Sequence, residues 1–270
     1  MRVHREWLQS AEEIAREAGD VLLGYVGRDF EVHRKGAVDL VTEADRASEA
    51  AVVRTIRTRY PAHGILAEEG GGDDAAGAQP LWVVDPLDGT TNFAHGLPIW
   101  CVSIAVLVGG RPVVGVIYDP SRGECFTATA GGTAELNGRE IRVSRAERLD
   151  DALLVTGFPY DLRTSPTNNV DHFANFLRAS QGVRRLGSAA LDLCYVAAGR
   201  FDGFWELKLH AWDVAAGGLI VERAGGRVSD FEGGPWDPFG PEILAAPPEL
   251  SAAMIEVLRG GRRPVADPSR

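Results

Sequence analysis

Near residue 150 the spacing of apolar residues changes, and that change restricts the fold more than any other feature of the chain. Before it, over residues 99–143, apolar runs are punctuated by Gly109-Gly110, by Pro120 to Gly123 and by Asn137-Gly138. Gly and Asn supply the left-handed backbone that tight hairpins need, so this stretch reads as an antiparallel meander. After it, strands alternate with helices. Strands are expected at 152–156, 183–186, 203–207 and 242–246, and helices at 169–179, 188–198, 213–223 and 248–258. Gly225-Gly226 stops the third of these helices. A chain that is antiparallel first and alternating β and α second must build two different sheets. The expected organisation is therefore an α+β half over residues 1–150 and an α/β half over residues 151–270.

Upstream of the meander, Trp7, Ala11, Ile14, Ala18, Val21, Leu22 and Tyr25 recur at three- and four-residue steps and predict an amphipathic helix. A second helix is expected over 43–60, ended by Pro61, with short strands at 65–67 and 81–84 separated by a Gly/Asp/Ala loop. The basic, Pro-containing stretch after Gly260 reads as loose. At 270 residues the chain buries enough surface to need no disulfide.

The balance of 38 acidic against 28 basic residues argues against a nucleic-acid footprint. It also means that a phosphorylated ligand has to be met by something other than surplus Lys and Arg, such as metal ions. The longest nearly apolar run, 99–108, is too short to span a bilayer, and the N-terminus does not read as a secretory segment. Three scattered cysteines, Cys101, Cys125 and Cys194, fit a reducing cytoplasm. The six histidines have no ligand spacing and read as surface or core filler. P-loop, dinucleotide-fingerprint, nucleophile-elbow and zincin motifs are all missing.

What the sequence does carry is Val83-Val84-Asp85-Pro86-Leu87-Asp88-Gly89-Thr90-Thr91-Asn92-Phe93. An apolar strand delivers Asp85 at its end, Pro86 turns the chain, and Asp88 returns a second carboxylate. Gly89 permits a tight backbone whose following N–H groups can face an anion. Two carboxylates this close repel unless a cation lies between them, and hard oxygen donors suit Mg²⁺ or Mn²⁺ rather than zinc. An Asx-capped turn is the plain alternative, because D-P and D-G are common turn dipeptides. Glu68-Glu69 after the preceding strand reads equally as solvated loop, Trp212-Asp213 as a helix N-cap, and Thr42-Glu43-Ala44-Asp45 as a capping box.

Taken in order, these blocks resemble the inositol monophosphatase family of the lithium-sensitive, Mg²⁺-dependent sugar phosphatase superfamily. The likeness runs from Asp39-Leu40-Val41-Thr42-Glu43-Ala44-Asp45 through Ala67-Glu68-Glu69 and the Asp85–Phe93 block. It continues through Gly187-Ser188-Ala189-Ala190 and Glu206 to Trp212-Asp213-Val214-Ala215-Ala216-Gly217. The resemblance implies a layered α-β-α-β-α sandwich with the site between its halves. It implies Glu68, Asp85 and the Leu87 carbonyl as ligands of one metal ion and Asp85, Asp88 and Asp213 as ligands of a second. Glu68 is also a candidate for a third, and Glu69 a neighbour able to assist through water. Gly89 and Thr90 are implied to offer N–H groups to the phosphate, and Thr90 with Asp45 to orient the attacking water. Gly187, Ser188, Ala189 and Glu206 match positions that touch the sugar or polyol.

Two or three Mg²⁺ ions, a small phosphorylated polyol or sugar as substrate, and a homodimer follow from the same likeness. Lys208 beside Glu206 and Ala211 before Trp212 depart from the best-known animal members and leave substrate identity open. Glu206 with Lys208, two residues on, also reads as an exposed strand-end pair. Fructose-1,6-bisphosphatase, histidinol-phosphate phosphatase and 3′-phosphoadenosine nucleotide phosphatase remain alternatives. A haloacid-dehalogenase-type loop is disfavoured, since one residue separates its acids, whereas two separate Asp85 from Asp88. A non-catalytic regulatory homologue, binding a transcription partner, is the alternative from a different class.

Overall fold

The computed structural model describes residues 2–28, 32–34, 40–70 and 80–260. Asp39, most of the 70–78 loop and the tail after Gly260 lie outside these residues. Helix α1 (Arg2–Leu23) is followed by β1 (Val32–Arg34), β2 (Leu40–Thr42) and α2 (Glu43–Arg59). Strands β3 (Gly64–Ala67) and β4 (Leu81–Asp88) lead to the short helix α3 (Thr90–Ala94). An antiparallel run follows: β5 (Cys101–Val108), β6 (Arg111–Asp119), β7 (Glu124–Thr129), β8 (Glu135–Leu136) and β9 (Arg139–Glu140). Past a 3-10 turn come β10 (Leu153–Thr156), α4 (Val170–Ala179), β11 (Gly182–Arg184), α5 (Ala189–Ala197) and β12 (Gly203–Leu207). The described chain closes with α6 (Ala211–Arg223), β13 (Arg227–Ser229), β14 (Glu242–Ala246) and α7 (Pro248–Arg259).

Strands β3 to β9 form a seven-stranded sheet in sequence order, antiparallel except between β3 and β4. The turn glycines behave as their chemistry requires. Gly109 and Gly110, with φ of 58° and 76°, join β5 to β6, and Asn137-Gly138, at 50° and 74°, joins β8 to β9. A second, five-stranded sheet has the order β11-β10-β12-β14-β13, with β10 parallel to both neighbours and β14 antiparallel to both of its own.

Alternation along the strands decides what packs where. In β4, Trp82 and Val84 join the core under α1 and α2, whereas Val83 faces α5 and α6. In β5, Ile104 and Val106 take the first side and Ala105 and Leu107 the second. In the smaller sheet, Val155, Phe204, Ile243 and Ala245 face α5 and α6, while Leu154, Trp205, Leu244 and Ala246 pack on Phe176 of α4 and on Leu250 and Met254 of α7. Helices α5 and α6 are therefore shared by both sheets, and the order of layers is α-β-α-β-α. Gly115 of β6 makes the tight central packing possible. A Cβ there would lie 2.8 Å from the Ala216 carbonyl oxygen of α6.

Several elements differ from expectation. The pairing of β1 with β2, the helix α3 and the strand β13 were not anticipated, each being only three to five residues long. Strand β11 ends at Arg184 rather than Leu186, which leaves Arg185 and Leu186 in the loop before α5. Among the described residues no helix is long and apolar enough to cross a membrane.

Candidate active site

Asp85 and Asp88 stand three residues apart on β4, and in a regular strand their side chains would face opposite sides of the sheet. The register against β5 removes that difficulty. Asp85 lies opposite Ser103 and Asp88 opposite Cys101, so β4 carries one extra residue and bulges. The bulge turns both carboxyls to the same face. Pro86, which has no N–H for the ladder, lies within it. The expectation that Pro86 turns the chain out of the strand is thus corrected: β4 continues to Asp88 because the bulge absorbs the proline. The Leu87 N–H donates to Asp85 Oδ1 at 2.9 Å, and Ser48 Oγ of α2 donates to the Pro86 carbonyl at 2.8 Å.

Beyond the bulge, Gly89 has φ of 95°, and a Cβ there would lie 2.7 Å from the Ile99 carbonyl oxygen. Only glycine fits, and it starts α3 at Thr90. The Thr90 hydroxyl has two acceptors in reach, Asp45 Oδ1 at 2.9 Å and the Leu87 carbonyl at 3.0 Å. Asp45 Oδ2 accepts from the Thr42 N–H at 2.8 Å and from Thr42 Oγ1 at 2.5 Å, which completes the capping box of α2. With both oxygens engaged, Asp45 is fully buried behind Thr90 and does not line the cleft. Burial pushes its carboxyl above the ordinary range, against the opposing pull of its hydrogen bonds from Thr42 and Thr90.

Two helix starts bring the remaining acids in. Asp88 Oδ2 accepts from Ser188 Oγ at 2.6 Å and from the Ala190 N–H at 2.8 Å, at the N-terminus of α5, where a negative charge is favoured. Asp213 is the third residue of α6, and its Oδ2 accepts from the His210 N–H at 2.7 Å. The N-cap of α6 is therefore His210, and Asp213 stands one turn in rather than at the cap. Asp85, Asp88 and Asp213 each offer an oxygen, and these lie within 4.8 Å of one another. Burial, and then the charges of Glu68, Asp88 and Asp213, push Asp85 well above the ordinary carboxylate range. Burial and then Asp213 push Asp88 the same way. Enclosed acids that repel in this manner are relieved by a divalent cation, and an all-oxygen donor set fits Mg²⁺ or Mn²⁺.

The cleft itself, of about 260 Å³, is lined by every expected site residue except Asp45. Glu68 follows β3, where its N–H donates to the Val84 carbonyl at 3.2 Å; it lines the cleft but stands outside the carboxylate trio. Glu69 is not among the lining residues, and its N–H donates to Glu49 Oε2 at 2.7 Å. Gly187, Ser188 and Ala189 form the wall at the start of α5.

Glu206 of β12 is only 6% exposed. Its carboxyl accepts from the Gly157 N–H and is pushed up to about 8 by burial first and then by Asp213 and Asp88, with Arg185 pulling it down. A Cβ on Gly157 would overlap that carboxyl. The surface pair with Lys208 does not form. Lys208 leaves the strand at φ of 61°, and its Nζ donates to Asp161 Oδ2 at 2.6 Å and to Ser165 Oγ at 2.9 Å.

The cleft also holds residues that pattern reading passed over: Arg185, Asp192, His210 and the 157–160 segment. His210, read as filler, stacks on Trp212 with ring centroids 4.6 Å apart. Its place two residues before Trp212-Asp213 was the available signal.

The layering and the enclosed carboxylates define a sandwich of the sugar-phosphatase type. The chain belongs to the inositol monophosphatase family, whose model matches residues 4–261. It is 49% identical over 234 residues to the Nus factor SuhB of Pseudomonas aeruginosa, covering 84% of this chain and 86% of that one. It is 46% identical over 253 residues to the inositol-1-monophosphatase of Synechocystis, covering 93% and 88%. Among solved structures, the inositol monophosphatase of Anabaena superposes with a TM-score of 0.87 at 45% identity, covering 95% of this chain and 96% of that one.

Proposed function

We propose that the protein is an Mg²⁺-dependent phosphomonoesterase that hydrolyses inositol monophosphate or a related small polyol or sugar phosphate by attack of water. The observation that carries this reading is the enclosed trio Asp85, Asp88 and Asp213 beside the Thr90–Asp45 hydrogen bond. In the assignment we favour, Glu68, Asp85 and the Leu87 carbonyl hold one ion and Asp85, Asp88 and Asp213 a second. Mn²⁺ is an acceptable substitute, and Glu68 a candidate for a third ion. Bound ions would supply the positive charge that a loose phosphoryl-transfer transition state requires and would acidify water nearby.

The chain's own groups do the orienting. In this scheme the Thr90 hydroxyl donates to Asp45, which leaves its oxygen free to accept from a water O–H in the cleft. Asp45 touches neither water nor substrate in this scheme; it fixes the direction of the Thr90 hydroxyl. The N–H groups of Gly89 and Thr90 meet the phosphate, and Gly187, Ser188, Ala189 and Glu206 meet the alcohol. We further infer a cytoplasmic homodimer that is inhibited by Li⁺.

A phosphate-release screen in excess Mg²⁺ over inositol-1-phosphate, fructose-1,6-bisphosphate, histidinol phosphate and adenosine 3′,5′-bisphosphate tests the reading. Preference for the inositol ester supports it. Release from none of them refutes it. The names of the SuhB relatives favour a second reading, a Nus-factor role for this chain. Complementation of a strain lacking SuhB with an Asp88→Asn variant separates that role from hydrolysis.

A further inference from the structure

Helix α5 is buried over all nine of its residues, and eight of them carry apolar or weakly polar side chains; the ninth is Asp192, 1% exposed. Its Oδ1 is sealed from solvent and has no hydrogen-bond partner among the described residues. A buried carboxyl left this way is costly, and native interiors rarely tolerate one without a use. The usual structural explanation fails, because the cap of α5 is already supplied by Ser188.

Position supplies the use. Asp192 lies four residues after Ser188, so the two side chains occupy the same face of α5, one turn apart. Ser188 holds Asp88, and Asp192 lines the same cleft beyond it. Its strongest charged neighbour is Glu206 of β12, followed by Asp88, with Arg185 acting in the opposite sense. The residue thus lines the cleft beside Glu206, on the alcohol side, where a hydroxyl of the ester can approach it.

We propose that Asp192 determines specificity for the alcohol part of the ester, hydrogen-bonding a substrate hydroxyl next to the one held by Glu206. This rests on the phosphomonoesterase reading above. Two neighbouring carboxyls on different elements suit an alcohol with adjacent free hydroxyls, as in a cyclitol or a sugar, and offer nothing to a phenol. Burial, and then the charge of Glu206, push Asp192 well above the ordinary carboxylate range. Asparagine keeps the shape and a hydrogen-bonding oxygen for a substrate hydroxyl; leucine keeps only the shape.

The test uses the full-length Mg²⁺-loaded protein and its Asp192→Leu and Asp192→Asn variants. KM and kcat are measured on inositol-1-phosphate and on p-nitrophenyl phosphate, with Tm recorded alongside. Asp192→Leu is expected to raise KM for inositol-1-phosphate about tenfold with little change in kcat, and to leave p-nitrophenyl phosphate within about twofold. Its Tm should hold or rise, because an unsatisfied buried acid has been removed, and Asp192→Asn should restore most of the KM. Equal losses on both substrates, unchanged KM on the inositol ester, or a fall in Tm that tracks the kinetic loss would each overturn the proposal. A wild type active on p-nitrophenyl phosphate alone refutes the role of Asp192 while sparing phosphatase activity. A wild type inactive on every ester refutes the functional reading and the Asp192 role together.

Discussion

Replacing Asp88 by Asn removes one charge and almost no volume, and the hydrogen bonds of the site fix how the amide must sit. Asp88 Oδ2 is an acceptor for both Ser188 Oγ and the Ala190 N–H. An amide nitrogen in that place would face two donors, so the Asn oxygen takes it and the NH₂ group turns to the carboxylate trio. A donor then occupies the position of a metal ligand, without a lone pair to offer. Loss of one ligand and its charge should lower kcat about 10³-fold, equivalent to about 4 kcal/mol of transition-state stabilisation.

Stability should move the other way. Burial and Asp213 disfavour the Asp88 carboxylate, so in chelator the variant should melt at or above the wild-type temperature. Saturating Mg²⁺ should raise the wild-type Tm more than that of the variant, since binding to the folded state stabilises it in proportion to affinity. Steady-state kinetics on inositol-1-phosphate and paired melts with and without Mg²⁺ read both effects. A kcat within tenfold of wild type at saturating Mg²⁺, or a lower Tm in chelator, would show that Asp88 supports the fold rather than a metal.

Exhaustive treatment with EDTA should abolish phosphate release, and millimolar Mg²⁺ should restore it, with Li⁺ competing; activity that survives chelation would exclude a metal mechanism. Glu206→Gln should lower kcat/KM for inositol-1-phosphate by about 10- to 100-fold and leave p-nitrophenyl phosphate nearly unchanged, as steady-state kinetics on the two esters would show. The same variant should alter the pH dependence of stability. The folded protein holds the Glu206 proton up to about 8 against an ordinary value of 4.5, so the stability linked to that proton is full below 4.5 and drains as pH rises towards 8. In chelator the Tm advantage of Glu206→Gln should therefore grow across that window. Gly115→Ala should cost about 1–3 kcal/mol in a denaturant titration, because its Cβ meets the backbone of Ala216, and it should reduce activity by displacing α6 and Asp213 with it.

The readability of this protein from sequence follows the range of the signals. Turn glycines, the strands of the meander and the amphipathic α1 are written in local spacing, and they form as the spacing predicts. The Asp85–Thr90 block was legible as chemistry but not as geometry. A proline between two acids suggests a turn, whereas only the pairing with β5 reveals a bulge. Glu206 misled for a similar reason: two residues of spacing put Lys208 on its face, but the positive φ at Lys208 swings that chain away to Asp161. Asp192 was invisible, since an aspartate in the first turn of a helix is ordinary. What sets it apart is that α5 is packed between two sheets, and no local pattern conveys that.

The shared middle layer has a consequence for how the chain is made. The seven-stranded sheet is complete by Glu140, and α1 and α2 are already available to cover one of its faces. Its other face, with Val83, Ala105, Leu107, Ile117 and Phe126, has no cover until α5 and α6 have been synthesised. A growing chain that has emerged to residue 150 therefore displays a broad greasy surface, with Asp85 and Asp88 in place but Asp213 still to come. Such an intermediate is prone to stick to its neighbours until the last third of the chain arrives. Translation speed over residues 150–220, and the chaperones waiting there, should then govern how much protein a cell obtains from each message.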